Sequence, residues 1–214
     1  MCIRDSDSVK RERNWKNWGV QLFGKYCINA KQDGQGDTRE KKKAWRAYWA
    51  LKQVFKGKME VRSKIKILEA CIYPVLTYGA QAWTLTQNQG RSLQATQRSM
   101  ERSILYVKKG EKISNEVIRK RTGTHDILYQ IRKLKIKFAG HVARHGGKRW
   151  SKRIIEWTLY EGKRTRGRPA TRWRGEIQKH LGVTWQRAGR DRTAWTKIGE
   201  AFTQKWVLGG SWPA

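Results

Sequence analysis

Residues 163–174 hold the side chains best suited to chemistry: five arginines and one lysine around a glycine and a proline. Pro169 cannot continue a helix, and Gly167 frees the backbone to lie against another surface. Guanidinium groups bind phosphate oxygens strongly, so this density of charge predicts a loop that clamps a nucleic-acid backbone. The candidate contacts are Lys163, Arg164, Arg166, Arg168, Arg172, Trp173 and Arg174.

The tetrapeptide Arg166-Gly167-Arg168-Pro169 has an alternative interpretation. It is similar to the core of the AT-hook, an extended segment whose arginines enter the narrow minor groove of A·T-rich DNA. On that interpretation the chain is a stand-alone architectural DNA-binding protein. A backbone clamp binds A·T-rich and G·C-rich DNA alike, whereas a hook prefers A·T tracts. A relic without function is the third alternative.

A second basic group falls on one predicted helix. Ile127, Ile131, Leu134, Phe138 and Val142 recur at helical spacing and predict a buried face. The other face carries Arg132, Lys133, Lys135 and Lys137. Because a solvated basic helix face can lie along a phosphate backbone, we expect these four residues to contact nucleic acid as well.

Metal-dependent catalysis is not expected. The chain has no adjacent pair of aspartates, no glycine-rich Walker loop and no His-Glu-x-x-His motif. Polymerases and nucleases hold their metal ions with clustered carboxylates, which this sequence does not provide. His141 and His145 are four residues apart and could face one ion, but no third ligand accompanies them. We therefore expect no enzyme activity, no metal and no cofactor.

Charge points to a polyanionic partner. The 214 residues include 48 Lys+Arg against 17 Asp+Glu, a formal net charge of +31. Such a surplus repels itself unless a polyanion neutralises it, so RNA and DNA are the predicted partners. No long apolar run predicts a membrane span. Three cysteines indicate neither a disulfide framework nor a zinc site, so we expect an intracellular protein, nuclear if it is functional.

The elements that position these residues are predicted to be helices. Helical periodicity and capping residues place them at about 37–55, 61–72, 86–107, 115–121, 124–145, 171–181 and 184–206. Pro74 should kink the second, and Asp37, Thr86 and Thr124 should cap the first, third and fifth. Residues 20–28 fit a short strand or hairpin. The predicted fold class is mainly α.

The tryptophans allow two interpretations. Trp45, Trp49, Trp195 and Trp206 fall in apolar stripes, which favours core packing. A second set stands among arginines, where stacking on an unpaired base and packing under arginine stems are both open. That set is Trp150, Trp157, Trp173 and Trp185.

Four segments together resemble the reverse transcriptases of non-LTR retrotransposons, especially the RTE-like clade. Residues 72–86, IYPVLTYGAQAWTLT, are similar to the family segment hPhLTYGxxxWxLT. Residues 97–105, QRSMERSIL, resemble QRxMERxIL, and residues 138–144, FAGHVAR, resemble WAGHVxR. Residues 166–173 match RGRPxxRW, and the order and spacing agree over roughly residues 37–206.

The resemblance implies a C-terminal fragment that contains the thumb and the region after it. Residues 7–36 would be the end of the palm and a turn, 37–145 a helical thumb-like domain, and 146–214 a basic region with the RGRPxxRW motif and two final helices. We expect residues 1–6 to be an artefact, because a sequencing-library adapter encodes the same six residues. The fragment would bind template RNA and primer or target DNA. Gly175-Glu176 stands where the family often has Asp-Asp.

Overall fold

The computed structural model describes residues 33–145, 150–156 and 172–207. This part of the chain is mainly α-helical, as predicted, and contains no strand. Residues 20–28, predicted to form a strand, lie outside the described residues. Of the loop predicted over 163–174, residues 163–171 also lie outside them, and Trp173 and Arg174 belong to a helix instead. The helices are α1 Asp33–Ala50, α2 Lys52–Lys56, α3 Val61–Ile67, α4 Tyr73–Leu76, α5 Gln87–Ile104, α6 Asn115–Thr122, α7 Ile127–Arg144, α8 Trp150–Glu156, α9 Trp173–Leu181, α10 Trp185–Ala188 and α11 Arg192–Val207.

A first apolar core joins α1 to α5 with the N-terminal half of α7. Its fully buried side chains include Leu68, Leu76, Leu93, Met100 and Ile131. The predicted first helix is broken at Leu51, and it begins at Asp33, so the predicted cap at Asp37 is wrong. Gly57 ends α2.

The predicted kink at Pro74 takes the form of a π-helical turn. Residues Leu68–Ile72 are π-helical, and Pro74 lies in the first turn of α4, where its missing N–H costs no hydrogen bond. Gly79 then adopts φ 74°, a left-handed conformation that suits glycine, and redirects the chain into a 3-10 turn at Ala80–Ala82.

Capping residues fix the start of the central helices. Thr86 and Gln89 form the capping box of α5, with the Thr86 N–H 2.7 Å from Gln89 Oε1. Gly123 ends α6 in the left-handed conformation. The predicted cap of α7 at Thr124 is wrong: the Asp126 carboxylate accepts from the Leu128 N–H at 2.9 Å and caps the helix instead.

A second apolar core joins the C-terminal half of α7 to α9, α10 and α11. It is built around buried tryptophans from three helices, Trp173, Trp185 and Trp195. The helix predicted over 171–181 is confirmed as α9. The helix predicted over 184–206 is divided into α10 and α11, and Asp191 between them accepts from the Thr193 N–H at 2.8 Å. Because α7 contributes to both cores, it is held firmly in place, and so are the side chains on its exposed face.

Candidate nucleic-acid interface

A groove between α7 and α11 collects basic side chains from both helices. It has a volume of about 710 Å³. Lys133 and Lys137, two of the predicted contacts, line it and are exposed. The other basic side chains that line it are His141, Arg144 and Arg192. Glu200 is the only carboxylate among the described residues that line this groove, so its potential is positive.

Two glycines let α11 approach α7 closely enough to form this groove. The nearest heavy atoms to an ideal Cβ on Gly140 are Nε1 and Cδ1 of Trp195, at 2.4 and 2.5 Å. A Cβ on Gly199 would lie 2.9 Å from Cγ2 of Ile136. The Trp195 indole N–H donates to the backbone oxygen of Ile136 at 2.9 Å, which fixes the ring at the base of the groove. The spacing of the two helices thus depends on the absence of side chains at these positions.

Cations surround His141 within the groove. Burial lowers its pKa from the ordinary value, and the charges of Arg144, His145, Lys137 and Arg192 lower it further. The neutral imidazole is therefore favoured, and it gains a charge as the pH falls through this lowered pKa.

We expect a bound oligonucleotide to raise the pKa of His141. Phosphates in the groove would offset the surrounding positive charge and favour the imidazolium. By linkage, affinity should rise as the pH falls through that pKa. NMR titration of the imidazole resonances with and without oligonucleotide measures the shift. His180 on α9 is the internal control, since burial also lowers its pKa but it does not line the groove. An unchanged His141 pKa at saturating oligonucleotide would contradict the expectation.

The structure corrects the predicted contact at Lys135. This side chain is only 4% exposed, and its Nζ lies 2.7 Å from both carboxylate oxygens of Glu176 on α9. The ion pair holds α9 against α7 and leaves no ammonium for phosphate. A sequence signal was present, because Lys135 follows Ile131 by one helical turn and precedes Ala139 by another, on the buried face of α7.

Trp173 also does not reach solvent. The indole is 3% exposed, its N–H donates to the Gln81 backbone oxygen at 2.7 Å, and its ring meets Phe138 and Trp185 edge to face. Stacking on a base is therefore excluded in this structure, and the predicted nucleic-acid contact at Trp173 is corrected to a core contact. Trp185 is also buried, with 1% of its surface exposed.

The remaining predicted contacts are placed as follows. Arg132 is half-buried on α7; burial lowers the pKa of its guanidinium, while the charges of Asp126 and Glu176 oppose that effect. Arg172 is exposed just before α9, and Arg174 is half-buried on that helix. Lys163, Arg164, Arg166 and Arg168 lie outside the described residues. Arg144 and Arg192, which the sequence pattern did not indicate, reach the groove from opposite walls.

Two tryptophans among the described residues are exposed. Trp150 on α8 is 53% exposed, with the guanidinium carbon of Arg153 5.5 Å from its ring centroid. The predicted core packing of Trp49 is wrong, because this side chain is 49% exposed and stacks on Trp45 at 6.0 Å between centroids. Trp157 and the side chain of Trp206 lie outside the described part.

Neither a metal centre nor a membrane span is found in the part of the chain that the structure describes. His141 and His145 have ring centroids 6.5 Å apart, and no cluster of three or more His, Cys, Asp or Glu side chains in residues 33–145, 150–156 and 172–207 could hold a metal ion. None of the described helices combines the length and apolarity that crossing a bilayer requires.

The chain is similar to a Caenorhabditis elegans protein named uncharacterized transposon-derived protein F52C9.6. The two are 26% identical over 173 residues, which cover 75% of this chain and 62% of the other. The chain thus spans less than two thirds of that relative's length. No protein-family model matches the chain, and no solved structure matches it. The similarity indicates a transposon-related origin.

Proposed function

We propose that this chain is the nucleic-acid-binding, thumb-like part of a non-LTR retrotransposon reverse transcriptase and holds template RNA and primer or target DNA. The observation that carries the proposal is the groove between α7 and α11. Its lining includes Trp195 and four cationic side chains, Lys133, Lys137, Arg144 and Arg192. The transposon-derived relative supports the same origin. In this proposal the chain binds the phosphate backbone and performs no polymerase or nuclease chemistry itself.

A salt titration tests the proposal. Replacing Lys133, Lys137 and Arg192 with alanine removes up to three phosphate contacts, because these side chains are exposed and make no ion pair with another described residue. Binding to duplex DNA should weaken several-fold at low salt. The slope of log affinity against log salt concentration should fall by up to about 0.9 for each phosphate that is no longer neutralised. Fluorescence anisotropy at several salt concentrations measures both effects.

A matched control removes the same charge elsewhere. Alanine at Lys52, Lys56 and Lys58, exposed residues of α2 and the following turn, should leave the slope closer to that of the unchanged chain. Equal weakening by both triple variants would show that net charge alone attracts DNA and would contradict a specific groove. Comparing A·T-rich with G·C-rich probes tests the hook alternative, which predicts an A·T preference that Arg166→Ala and Arg168→Ala abolish.

A further inference from the structure

A second cationic pocket lies between α5 and α6, on elements other than the α7/α11 groove. Its volume is about 550 Å³. Its charged lining comes from Arg91, Arg98, Arg102, Lys112 and Arg119, and no carboxylate is among the described residues that line it. The interface predicted from sequence included none of these residues.

Arg98 is the unusual group in this pocket. Its side chain is only 5% exposed, and one of its nitrogens, Nη1, donates to the buried carboxylate of Glu101. Nη2 lies 3.8 Å from Oδ2 of Asp126. This distance allows an ion pair but is too long for a hydrogen bond. Neither Nε nor Nη2 has a hydrogen-bond partner among the described residues. Buried donors are almost always paired, so two unpaired donors on a side chain that lines the pocket mark a place for an acceptor.

The neighbouring cations are held in place by the protein. Nη2 of Arg102 donates to the backbone oxygen of Ile113 at 2.7 Å and to Oδ1 of Asn115 at 3.1 Å. Nη2 of Arg119 donates to Oδ2 of Asp126 at 2.9 Å. Both guanidinium groups are thus oriented before any ligand arrives, and ordering them for binding costs little.

Two further cationic side chains line the pocket and have no partner among the described residues. Arg91 and Lys112 are exposed, and neither side chain makes a hydrogen bond or an ion pair with another described residue. Asn115, the first residue of α6, also lines the pocket, so the positive end of that helix opens into it. The cations outnumber the two carboxylates, Glu101 and Asp126, that pair with them.

We propose that this pocket binds a single phosphate group of a nucleic-acid backbone, with the Nε and Nη2 donors of Arg98 aimed at its oxygens. The proposal rests on the proposed function and adds a defined phosphate position on α5 and α6. A planar guanidinium with two free donors suits a tetrahedral oxyanion better than a point charge does. The same chemistry would hold inorganic phosphate, so the test uses both ligands separately.

The experiment follows the Nε–H resonance of Arg98 by NMR in the full chain. Inorganic phosphate is titrated in one arm, and a mixed-sequence single-stranded oligonucleotide in the other. We expect a saturable shift in both arms. The double variant Arg91→Gln with Lys112→Asn should weaken phosphate binding several-fold and lower the oligonucleotide salt slope by up to about 0.7 for each cation removed from the phosphate. Asparagine is chosen because Lys112 has φ 47°, which asparagine tolerates.

The control variant is Lys120→Gln with Arg121→Gln, two exposed cations of α6 that do not line the pocket. It should keep the phosphate affinity. Arg98→Lys keeps the charge but removes the forked donors. In this variant phosphate binding is followed by the backbone amide resonances of Lys112 and Asn115, which line the pocket, and it should be lost while circular dichroism shows that the chain stays folded.

Three results would overturn the proposal. If the Arg98 resonance responds to neither ligand while the α7/α11 variants still weaken oligonucleotide binding, the pocket is not a phosphate site and the proposed function stands. A response to inorganic phosphate alone would refute the assignment to a nucleic-acid backbone. If the control and pocket variants weaken phosphate binding equally, only general charge is acting.

Discussion

Replacing Glu101 with glutamine is expected to lower the free energy of unfolding by about 3–5 kcal/mol. Glu101 is completely buried. Its Oε1 accepts from the hydroxyls of Tyr73 and Thr124 at 3.0 and 2.7 Å, and its Oε2 accepts from Arg98. Glutamine would place an amide donor where donors already converge. It would also leave the buried Arg98 charge with only Asp126, 3.8 Å away, to oppose it.

Chemical denaturation followed by circular dichroism measures this destabilisation. The control is Glu69→Gln, an exposed carboxylate on the π-helical turn, which should stay within about 0.5 kcal/mol of the unchanged chain. A double-mutant cycle with Arg98→Met adds the specific test. The coupling between the two positions should be large, because removing either charge strands the other. Equal midpoints for Glu101→Gln and Glu69→Gln would contradict the buried network.

The network around Glu101 extends to α4 and to the residues at and just before the start of α7. Gln97 Nε2 donates to the Tyr73 hydroxyl oxygen at 3.0 Å and to the His125 backbone oxygen at 2.8 Å, while its Oε1 accepts from the Ile127 N–H at 2.8 Å. Burial and the Glu101 charge both raise the pKa of Tyr73, so its phenol remains a donor. The segment 97–102 thus fastens α5 to α4 and to the start of α7.

The sequence predicts the apolar side of α5 but not this network. Helical spacing places Leu93, Met100 and Ile104 on one face, and all three are buried. Gln97 is one turn after Leu93 and therefore on the same face, which is a usable signal. Periodicity treats polar residues as solvated, however, and the partners of Gln97 and Glu101 come from distant segments. Local patterns cannot reveal whether such partners exist.

Local signals predict some helix ends and miss others. The Thr86 cap and the Gly123 end satisfy backbone groups within a few residues and follow from the sequence, whereas the caps expected at Asp37 and Thr124 are not formed. The candidate site depends on contacts between distant segments. Lys133 and Lys137 are predicted from one helix, whereas Arg192 joins them only because α11 packs across α7. The prediction for Lys135 is wrong because its partner, Glu176, is 41 residues away.

The packing of α11 on α7 leads to the second large effect: Gly140→Ala is expected to destabilise the chain. An added Cβ would lie 2.4 Å from Nε1 of Trp195, closer than real side chains approach. The Trp195 ring cannot retreat easily, because it is buried, bonded to the Ile136 backbone oxygen and packed against Trp185. Overpacking a filled core costs about 1–3 kcal/mol. This cost would outweigh the stability that replacing glycine with alanine usually adds in a helix interior.

Gly175→Ala is the matched control for that substitution, and its expected sign is opposite. Gly175 lies within α9, is exposed, and has no atom within 4 Å of an added Cβ. Alanine there should stabilise the chain by about 0.5–1 kcal/mol. Thermal denaturation of both variants, followed by tryptophan fluorescence, measures the difference. If Gly140→Ala is as stable as Gly175→Ala, α11 does not approach α7 this closely. The groove that unites Lys133 and Lys137 with Arg192 would then lack its structural basis.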